Sequence, residues 1–461
     1  MNGKVTILNY SANADEIISA AGRISTTKGS SDEIYYNSCV DKEKNVKLIY
    51  KILASGHESV LEHVFLNLSF DNVSVFVEQF MIEFRLASFT VKSRRYVDFG
   101  NVGYVVPDFL GVENEAEIVY RKHMDYLFQE YNSFLELGIP KEDARFVLPY
   151  SFKSNFYCTV NAREFVKIMN ELVYGRGKDY PELVELGNSL YKQCETVLPY
   201  LCIKKEQHDI KETVMELVKN NARTVSAQID TERLVTLVSG TENPERIICQ
   251  AAALNCGLRD WNDIVIDDLE KQKKLIAVLL KGGRKRELEQ ANFTFLFNRI
   301  SLAGVTHLVR HRMQEIIIPN YIEVCDYNKY LMPNSIVEAG LEKRYRECFL
   351  KTQGVVNELR NKGFNKNNEV YLMLSGLLIP VMTTMNTNEL CTFMRLRTCN
   401  RAQWEIKECA DELLRCLRKK YPILFSQYGP SCYMNGKCPE GKMTCGQVKE
   451  VCDKYGRIDE N

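Results

Sequence analysis

The sequence predicts an α+β protein built from two domains in tandem, each a sheet flanked by helices. Two observations carry that expectation. An ordered set of short motifs recurs about 225 to 230 residues further along the chain, a period far too long for a solenoid unit and suited to a duplicated domain. Each copy also opens on a short β-rich run followed by an apolar pattern of helical period.

The elements follow in the same order in both copies. Val5-Thr6-Ile7-Leu8, then Ala14-Asp15-Glu16-Ile17-Ile18, returns as Val235-Thr236-Leu237-Val238, then Pro244-Glu245-Arg246-Ile247-Ile248. Leu61-Glu62-His63 returns as Leu288-Glu289-Gln290, each leading into a strand-like run that reaches Phe70 and Phe297. Tyr96-Val97-Asp98 returns as Tyr321-Ile322-Glu323, and Thr159-Val160-Asn161 with Glu164 as Thr384-Met385-Asn386 with Glu389. The expected domains are residues 1–225, residues 232–428, and a cysteine-containing tail, residues 429–461.

Composition narrows the class. Of 461 residues, 45% are hydrophobic and 26% charged, which is ordinary for a globular protein. Lys plus Arg and Asp plus Glu number 60 each, so no net field favours nucleic acid or an anionic membrane. The first residues lack the apolar core of a signal peptide. The longest apolar candidate, Leu374 to Met385, is too short to span a bilayer and contains Pro380. Sixteen cysteines in such a chain point to reduced thiols. The expected location is the cytoplasm, with no nucleic-acid or membrane partner.

The polar motifs stand at the ends of apolar elements. Arg310-His311-Arg312 closes the apolar run from Ile300 to Val309. Its planar donors suit phosphates, carboxylates and the edges of flat heterocycles, although a basic triplet is also a common solvated face. Histidine usage favours function: four of the six histidines, His57, His63, His307 and His311, fall in two short windows. In Gly56-His57-Glu58-Ser59-Val60-Leu61-Glu62-His63, Ser59 reads as an N-cap with Glu62 as its capping-box partner. A capped helix start also serves as an anion site. The six-residue separation of His57 and His63 is not that of a helical zinc pair. Ser88 to Tyr96 alternates like a strand, placing Ser93 beside Arg95 on one face, a pairing suited to phosphate. Arg145 is expected in the first turn of a helix.

Taken together these residues resemble the flavin-dependent thymidylate synthases. That family joins an Arg-His-Arg to a Ser-x-Arg-Tyr, with an upstream Gly-His-x-Ser-x-x-Glu-His, an Ala-Arg-x-x-Leu-Pro, an Asn-x-Arg and a closing Leu-Arg before Ala-Gln-Trp-Glu-Ile. The resemblance covers nearly the whole chain twice, yet neither copy is complete. Copy one keeps His57, Ser59, Glu62, His63, Ser93, Arg95, Tyr96, Arg145, Asn161 and Arg163. It has Glu83-Phe84-Arg85 for Arg-His-Arg, Thr90 and Val91 for an Asn and a Glu, and no clear Ala-Gln-Trp counterpart. Copy two keeps Arg310-His311-Arg312, Asn386, Leu396-Arg397 and Ala402-Gln403-Trp404-Glu405-Ile406. It has Arg284-Lys285-Arg286 for the His-x-Ser segment, Val370 for the Ala-Arg arginine and Asn388 for the arginine of Asn-x-Arg.

The resemblance implies reductive C5-methylation of dUMP to dTMP, using methylenetetrahydrofolate, NADPH and FAD. It assigns His57, Ser59, Asn161, Arg163, Arg310, His311 and Arg312 to FAD. Ser93, Arg95, Arg145, His307, Arg310 and Arg397 fall to the nucleotide, with Arg397 on the pyrimidine edge as the catalytic group. His307 stands where the family usually has Gln. Family members are homotetramers with pockets at subunit interfaces, so complementary losses imply pockets that draw on both copies and a homodimer acting as a pseudo-tetramer. Two alternatives stay open: a catalytically silent nucleotide- or flavin-binding relative, and an enzyme that alkylates C5 of another pyrimidine nucleotide. No metal is assigned. Cys432, Cys438 and Cys445 lie beside glycine and proline in turn-rich sequence, but their spacing is not a Cys-x-x-Cys knuckle, so a loop of thiols and a metal site both stay open.

Overall fold

A computed structural model of the chain describes residues 3–109, 112, 115–205, 211–222 and 232–456. In the first repeat the principal elements are β1 (Lys4–Tyr10), α1 (Ala14–Arg23), β2 (Phe65–Ser74), α2 (Val75–Ile82), β3 (Ala87–Val91), α3 (Ala116–Glu136), β4 (Lys153–Asn161), α4 (Ala162–Val173) and α5 (Pro181–Val197). The second repeat gives β5 (Val235–Gly240), α6 (Pro244–Asn255), α7 (Leu269–Lys281), β6 (Asn292–Ser301), α8 (Leu302–Leu308) and β7 (Gln314–Ile317). It continues with α9 (Glu342–Asn361), β8 (Leu378–Asn386), α10 (Thr387–Arg397), α11 (Trp404–Lys420), α12 (Ser431–Asn435) and α13 (Val448–Gly456).

Each repeat forms one four-stranded antiparallel sheet, ordered β1-β2-β4-β3 and β5-β6-β8-β7. The fold is therefore α+β, as expected. The duplication extends to irregularities. The first strand pair slips register between Ile7 and Asn9, and its counterpart slips between Leu237 and Ser239. The central pairs slip between Phe70 and Val73 and between Phe297 and Ile300. Such bulges bend a strand and increase its twist, so their repetition preserves the curvature on which each helical layer packs. Alternate residues of the central strands, Leu66, Leu68 and Phe70 in one sheet and Phe293, Phe295 and Phe297 in the other, are fully buried.

Packing divides the chain into two compact units that depart from the linear repeat. Unit 1 is Met1–Thr224 with Met332–Ser375, and unit 2 is Val225–Leu331 with Gly376–Asn461. The segment Met332–Ser375, expected within the second domain, thus belongs with the first. The reason lies in α9, whose buried face (Tyr345, Cys348, Phe349, Thr352, Val356) meets the apolar stripe of α3. His123 Nε2 lies 2.9 Å from Thr352 Oγ1, and the ring centres of Phe134 and Tyr345 are 6.1 Å apart. Helices with one apolar stripe need such a partner. Where the two repeats meet inside unit 1, equivalent positions pair: Pro149 bridges Leu374, and Tyr150 and Ser151 donate to the carbonyls of Met373 and Tyr371.

The cysteine-containing tail is integrated into unit 2. Tyr455 on α13 is fully buried and donates to Asp411 and to the Thr398 carbonyl, while Arg418 donates to four carbonyls, among them that of Tyr455. Cys432 is buried, whereas Cys438 and Cys445 are partly exposed. Among the described residues no group of three or more metal-ligating side chains converges. No described helix is long and apolar enough to cross a membrane.

Candidate active site

In unit 2 the apolar run ends as expected. Ser301 caps α8, accepting from Gly304 N, and every residue of α8 is buried. The chain then turns through residues 309–313 into β7, leaving Arg310 and Arg312 exposed and His311 buried. That turn is held at its base by Gln314, which donates to the Leu308 carbonyl at 2.5 Å and accepts from Thr383 Oγ1 at 2.7 Å.

His311 is the middle link of a polar chain. Its Nδ1 lies 2.8 Å from Glu389 Oε1, and Arg397 Nε donates to its Nε2 at 2.9 Å. A guanidinium only donates, so Nε2 is the acceptor and the proton sits on Nδ1, directed at Glu389. Burial holds the imidazole below its ordinary range, with Arg397 pushing the same way and Glu389 opposing them. The ring is neutral at pH 7. Arg397 Nη2 also donates to the His307 carbonyl at 3.0 Å, so the guanidinium is fixed by both the backbone and the ring. His307 is buried in α8, and this backbone oxygen links it to Arg397.

The Ala-Gln-Trp-Glu segment turns out to be scaffolding. Gln403 caps α11 by accepting from Ile406 N at 3.1 Å. Glu405, buried, accepts from Ser301 N at 2.5 Å and from Ser301 Oγ at 2.6 Å. Gly304 is required here, because a Cβ would lie 2.8 Å from Glu405 Oε2.

Unit 1 contains the same anchor under another sequence. Glu182 accepts from Ser74 N at 2.8 Å, Ser74 Oγ at 2.6 Å and Tyr371 OH at 2.9 Å. Pro181-Glu182 is therefore the counterpart of Trp404-Glu405 that the sequence concealed. Its turn at residues 83–85 has a different content. Glu83 pairs with Arg176 at 2.8 Å, and the Arg176 guanidinium lies 4.9 Å and 5.8 Å from the ring centres of Phe80 and Phe84.

The expected nucleotide residues of unit 1 gather, though not on a strand. β3 ends at Val91, and Ser93-Arg94-Arg95 forms a turn in which Val97 N donates to the Ser93 carbonyl. The alternating pattern continues past the last residue that pairs with β4, and Arg94 explains why. Its side chain turns inward to bond Glu78 at 2.5 Å in the core, which leaves Arg95 and Ser93 at the surface of the turn. Arg95 N donates to Ser93 Oγ at 3.4 Å, and Arg95 Nε lies 2.8 Å from Glu142. Arg145 follows a single helical turn (Lys141–Ala144) and opens a short 3-10 helix (Arg145–Val147), and its Nε donates to the Glu142 carbonyl at 3.0 Å. One residue thus positions both arginines.

The remaining unit 1 residues form a separate, exposed group. Glu58–His63 is a 3-10 helix capped at His57, so Ser59 is not its N-cap, and Glu62 reaches Arg163 at 2.6 Å instead of the backbone. His57, Ser59 and His63 are exposed. Asn161 caps α4 by accepting from Glu164 N, as Asn386 caps α10.

Comparison with known proteins gives this arrangement a family. The family described as "Thymidylate synthase complementing protein" matches residues 6–200 and again residues 236–423. The chain belongs to that family. A flavin-dependent thymidylate synthase of Clostridium tetani is 31% identical over 242 residues, spanning 48% of this chain and 96% of its own length. One from Geobacter sulfurreducens is 31% identical over 229 residues, with 47% and 95% covered. A solved UMP/dUMP methylase, PolB from Streptomyces cacaoi, is 23% identical with a TM-score of 0.36, covering 44% of this chain and 93% of that one.

Membership in the thymidylate synthase complementing family, matched twice, accounts for the repeated sheet and its bulges. The structure joins Arg397, His311 and the His307 backbone in unit 2, and Ser93, Arg95 and Arg145 in unit 1. It keeps His57 and Ser59 apart from any internal network among the described contacts. Two residues escape a reading of the sequence. Glu389 shows there only as a marker of the repeat, and Glu142 has no signal beside Arg145, because a lone acid carries no motif until its partner is known.

Proposed function

We propose that this chain is a flavin-dependent thymidylate synthase that converts dUMP to dTMP with methylenetetrahydrofolate and NADPH. The observation that carries this reading is the Glu389–His311–Arg397 chain. It holds one guanidinium at the end of α10 with its direction set by two hydrogen bonds. A fixed cation beside a uracil edge stabilises negative charge on the ring as C5 becomes nucleophilic, and it needs no reorganisation at that moment. In the net reaction a proton leaves C5, a methylene carbon takes its place, and a hydride completes the methyl group.

Ser93, Arg95 and Arg145 bind the nucleotide phosphate, and Arg310 adds a second fork. Glu142 orients Arg95 and Arg145 before substrate arrives. FAD fits the exposed donors of unit 1, His57, Ser59 and Arg163, whose hydroxyl, imidazole and guanidinium suit a dinucleotide's phosphates, together with Asn161, Arg310, His311 and Arg312. When bound, FAD supplies the hydride, replenished from NADPH. Neither unit carries the complete set, so turnover requires the residues of both, and a homodimer acting as a pseudo-tetramer is the working assembly.

The test is dTMP formation from dUMP by the purified full chain with methylenetetrahydrofolate and NADPH, alongside its visible spectrum. Flavin absorbance with turnover supports the proposal. Flavin or dUMP binding without any dTMP would identify a silent relative, and turnover on another pyrimidine nucleotide alone would change the substrate.

A further inference from the structure

Unit 2 contains a cavity of about 490 Å³ whose walls include Lys281, Lys285, Arg395, Tyr433, Met434 and Asn435. Among the described residues it has no acidic lining residue. Lys281 and Lys285 enter no ion pair among the described contacts. Arg395 makes a single side-chain hydrogen bond, from Nη2 to Asn435 Oδ1 at 3.2 Å, and its buried Nε has no partner. Arg395 and Arg397 stand two residues apart on α10, about 200° around the helix axis. Arg395 therefore faces away from His311.

The first repeat shows what a merely structural solution looks like at these positions. Asn170, equivalent to Arg395, is saturated by backbone: its Nδ2 donates to the Val166 and Ile203 carbonyls, and its Oδ1 accepts from Lys205 N. Glu58, equivalent to Lys285, is neutralised by Lys205 at 2.7 Å. Unit 2 has exchanged an amide for a guanidinium and an acid for an amine, and among the described contacts no acid answers either change. A semi-enclosed space that keeps three cations together loses stability through their mutual repulsion unless an anion is present.

We propose that this cavity is a binding site for a multiply charged organic phosphate, a nucleoside di- or triphosphate. Lys281, Lys285 and Arg395 take the phosphates, with the guanidinium fork supplying directed donors and the ammonium groups supplying point charge. Tyr433 and Met434 offer an apolar wall to the organic part, and the volume lies within the range of small-molecule sites.

The experiment is calorimetric titration of the full-length protein with inorganic pyrophosphate and with ATP, repeated on Lys281→Ala/Lys285→Ala and on Arg395→Gln. Both probes are expected to bind the unaltered chain, and each variant should weaken binding at least tenfold while dUMP binding stays unchanged and the thermal midpoint does not fall. The Arg395→Gln variant keeps a polar side chain while removing the charge, so it reports even if the double variant fails to fold. Absence of binding to the unaltered chain at millimolar probe would overturn the proposal. So would undiminished binding to a folded variant, since the phosphates would then be held elsewhere.

Discussion

The two repeats place the same turn after the same capped helix and fill it with opposite chemistry. In unit 2 the turn holds a neutral imidazole between a carboxylate and a guanidinium, and the two flanking arginines are exposed. In unit 1 the corresponding positions hold Glu83 and Phe84, closed over by Arg176. The anchors beneath are the same, Ser301 on Glu405 and Ser74 on Glu182. Scaffold and chemistry have therefore diverged separately. The buried carboxylate that fixes the helix start is kept in both units, because its loss would leave Ser N–H and O–H donors unsatisfied in the core. The groups at the tip are kept in one.

The largest effect that tests this contrast belongs to Arg397. Arg397→Ala should lower the turnover rate by about 10²–10³-fold, the scale for losing one fixed donor to developing charge, with little change in thermal midpoint. Its equivalent in unit 1 is Leu172, fully buried. Leu172→Ala should do the reverse, costing about 2–5 kcal/mol of stability through the cavity it leaves. Denaturant melts and initial rates on the two variants check both arms. A Leu172→Ala chain as stable as the parent, or an Arg397→Ala chain as active, would break the division of labour.

What the sequence made legible follows the same division. Strand and helix order, the duplication and the Arg-His-Arg turn could be read because apolar periodicity and local motifs encode them. The partition of α9 into unit 1 could not, because a repeat shows which segments correspond and not which copy buries their apolar stripe. The strand expected through Ser93 and Arg95 ends early because Arg94 leaves the alternation to reach Glu78. Glu182 stayed hidden because its neighbours changed to Tyr180 and Pro181 while its bond to Ser74 did not. Asn161 read as a ligand residue and Asn386 as its counterpart in copy two, and both cap helices, since Asn three residues before Glu is also a helix-start signature.

A smaller effect sharpens the complementarity. Arg95→Ala and Arg310→Ala should each weaken dUMP binding by about 1.5–3 kcal/mol, as expected for a charge-assisted hydrogen bond. Glu83→Ala, at the position equivalent to Arg310, should leave dUMP affinity unchanged. Mixed dimers of Arg95→Ala and Arg310→Ala chains should regain about half of the activity if function draws on different copies from different chains, and none if it draws on one chain. Normal dUMP binding by either single variant would refute the shared requirement.

Protonation distinguishes the two turns again, more weakly. The His311 imidazole is held below its unfolded value by burial and by Arg397. The native protein thus binds fewer protons here than the unfolded chain. Its contribution is complete above about pH 6.5 and is lost as pH falls below that value, because only the unfolded imidazole takes up the proton. His311→Gln should flatten the slope of stability against pH between about 6.5 and the acid limb. Phe84→Leu, which replaces one side chain that carries no proton with another, should shift the curve without altering its slope. Urea melts from about pH 8 to about pH 5 measure both slopes, and equal slopes for His311→Gln and the parent would remove His311 from the acid response.

The smallest expected effect concerns Glu142, whose carboxylate lies 2.8 Å from Arg95 Nε and whose carbonyl accepts from Arg145. Two influences oppose each other when a nucleotide phosphate arrives. The carboxylate keeps Arg95 oriented, which lowers the ordering cost of binding, but it also competes for the guanidinium and repels the dianion. Arg95 and Glu142 are each about one-fifth exposed, so solvent screens their attraction and the pair itself is worth little beyond about 1 kcal/mol. Repulsion of an incoming dianion acts on two charges at once and therefore outweighs the orienting gain. Glu142→Gln retains the backbone carbonyl that holds Arg145 and a side-chain oxygen that still accepts from Arg95. It should tighten dUMP binding by a few-fold, most clearly at low ionic strength where screening is weakest. Calorimetric titration of dUMP at two salt concentrations measures this. Weaker binding by the Gln variant would mean that orientation of Arg95 outweighs repulsion, and would assign Glu142 to holding the site open for substrate.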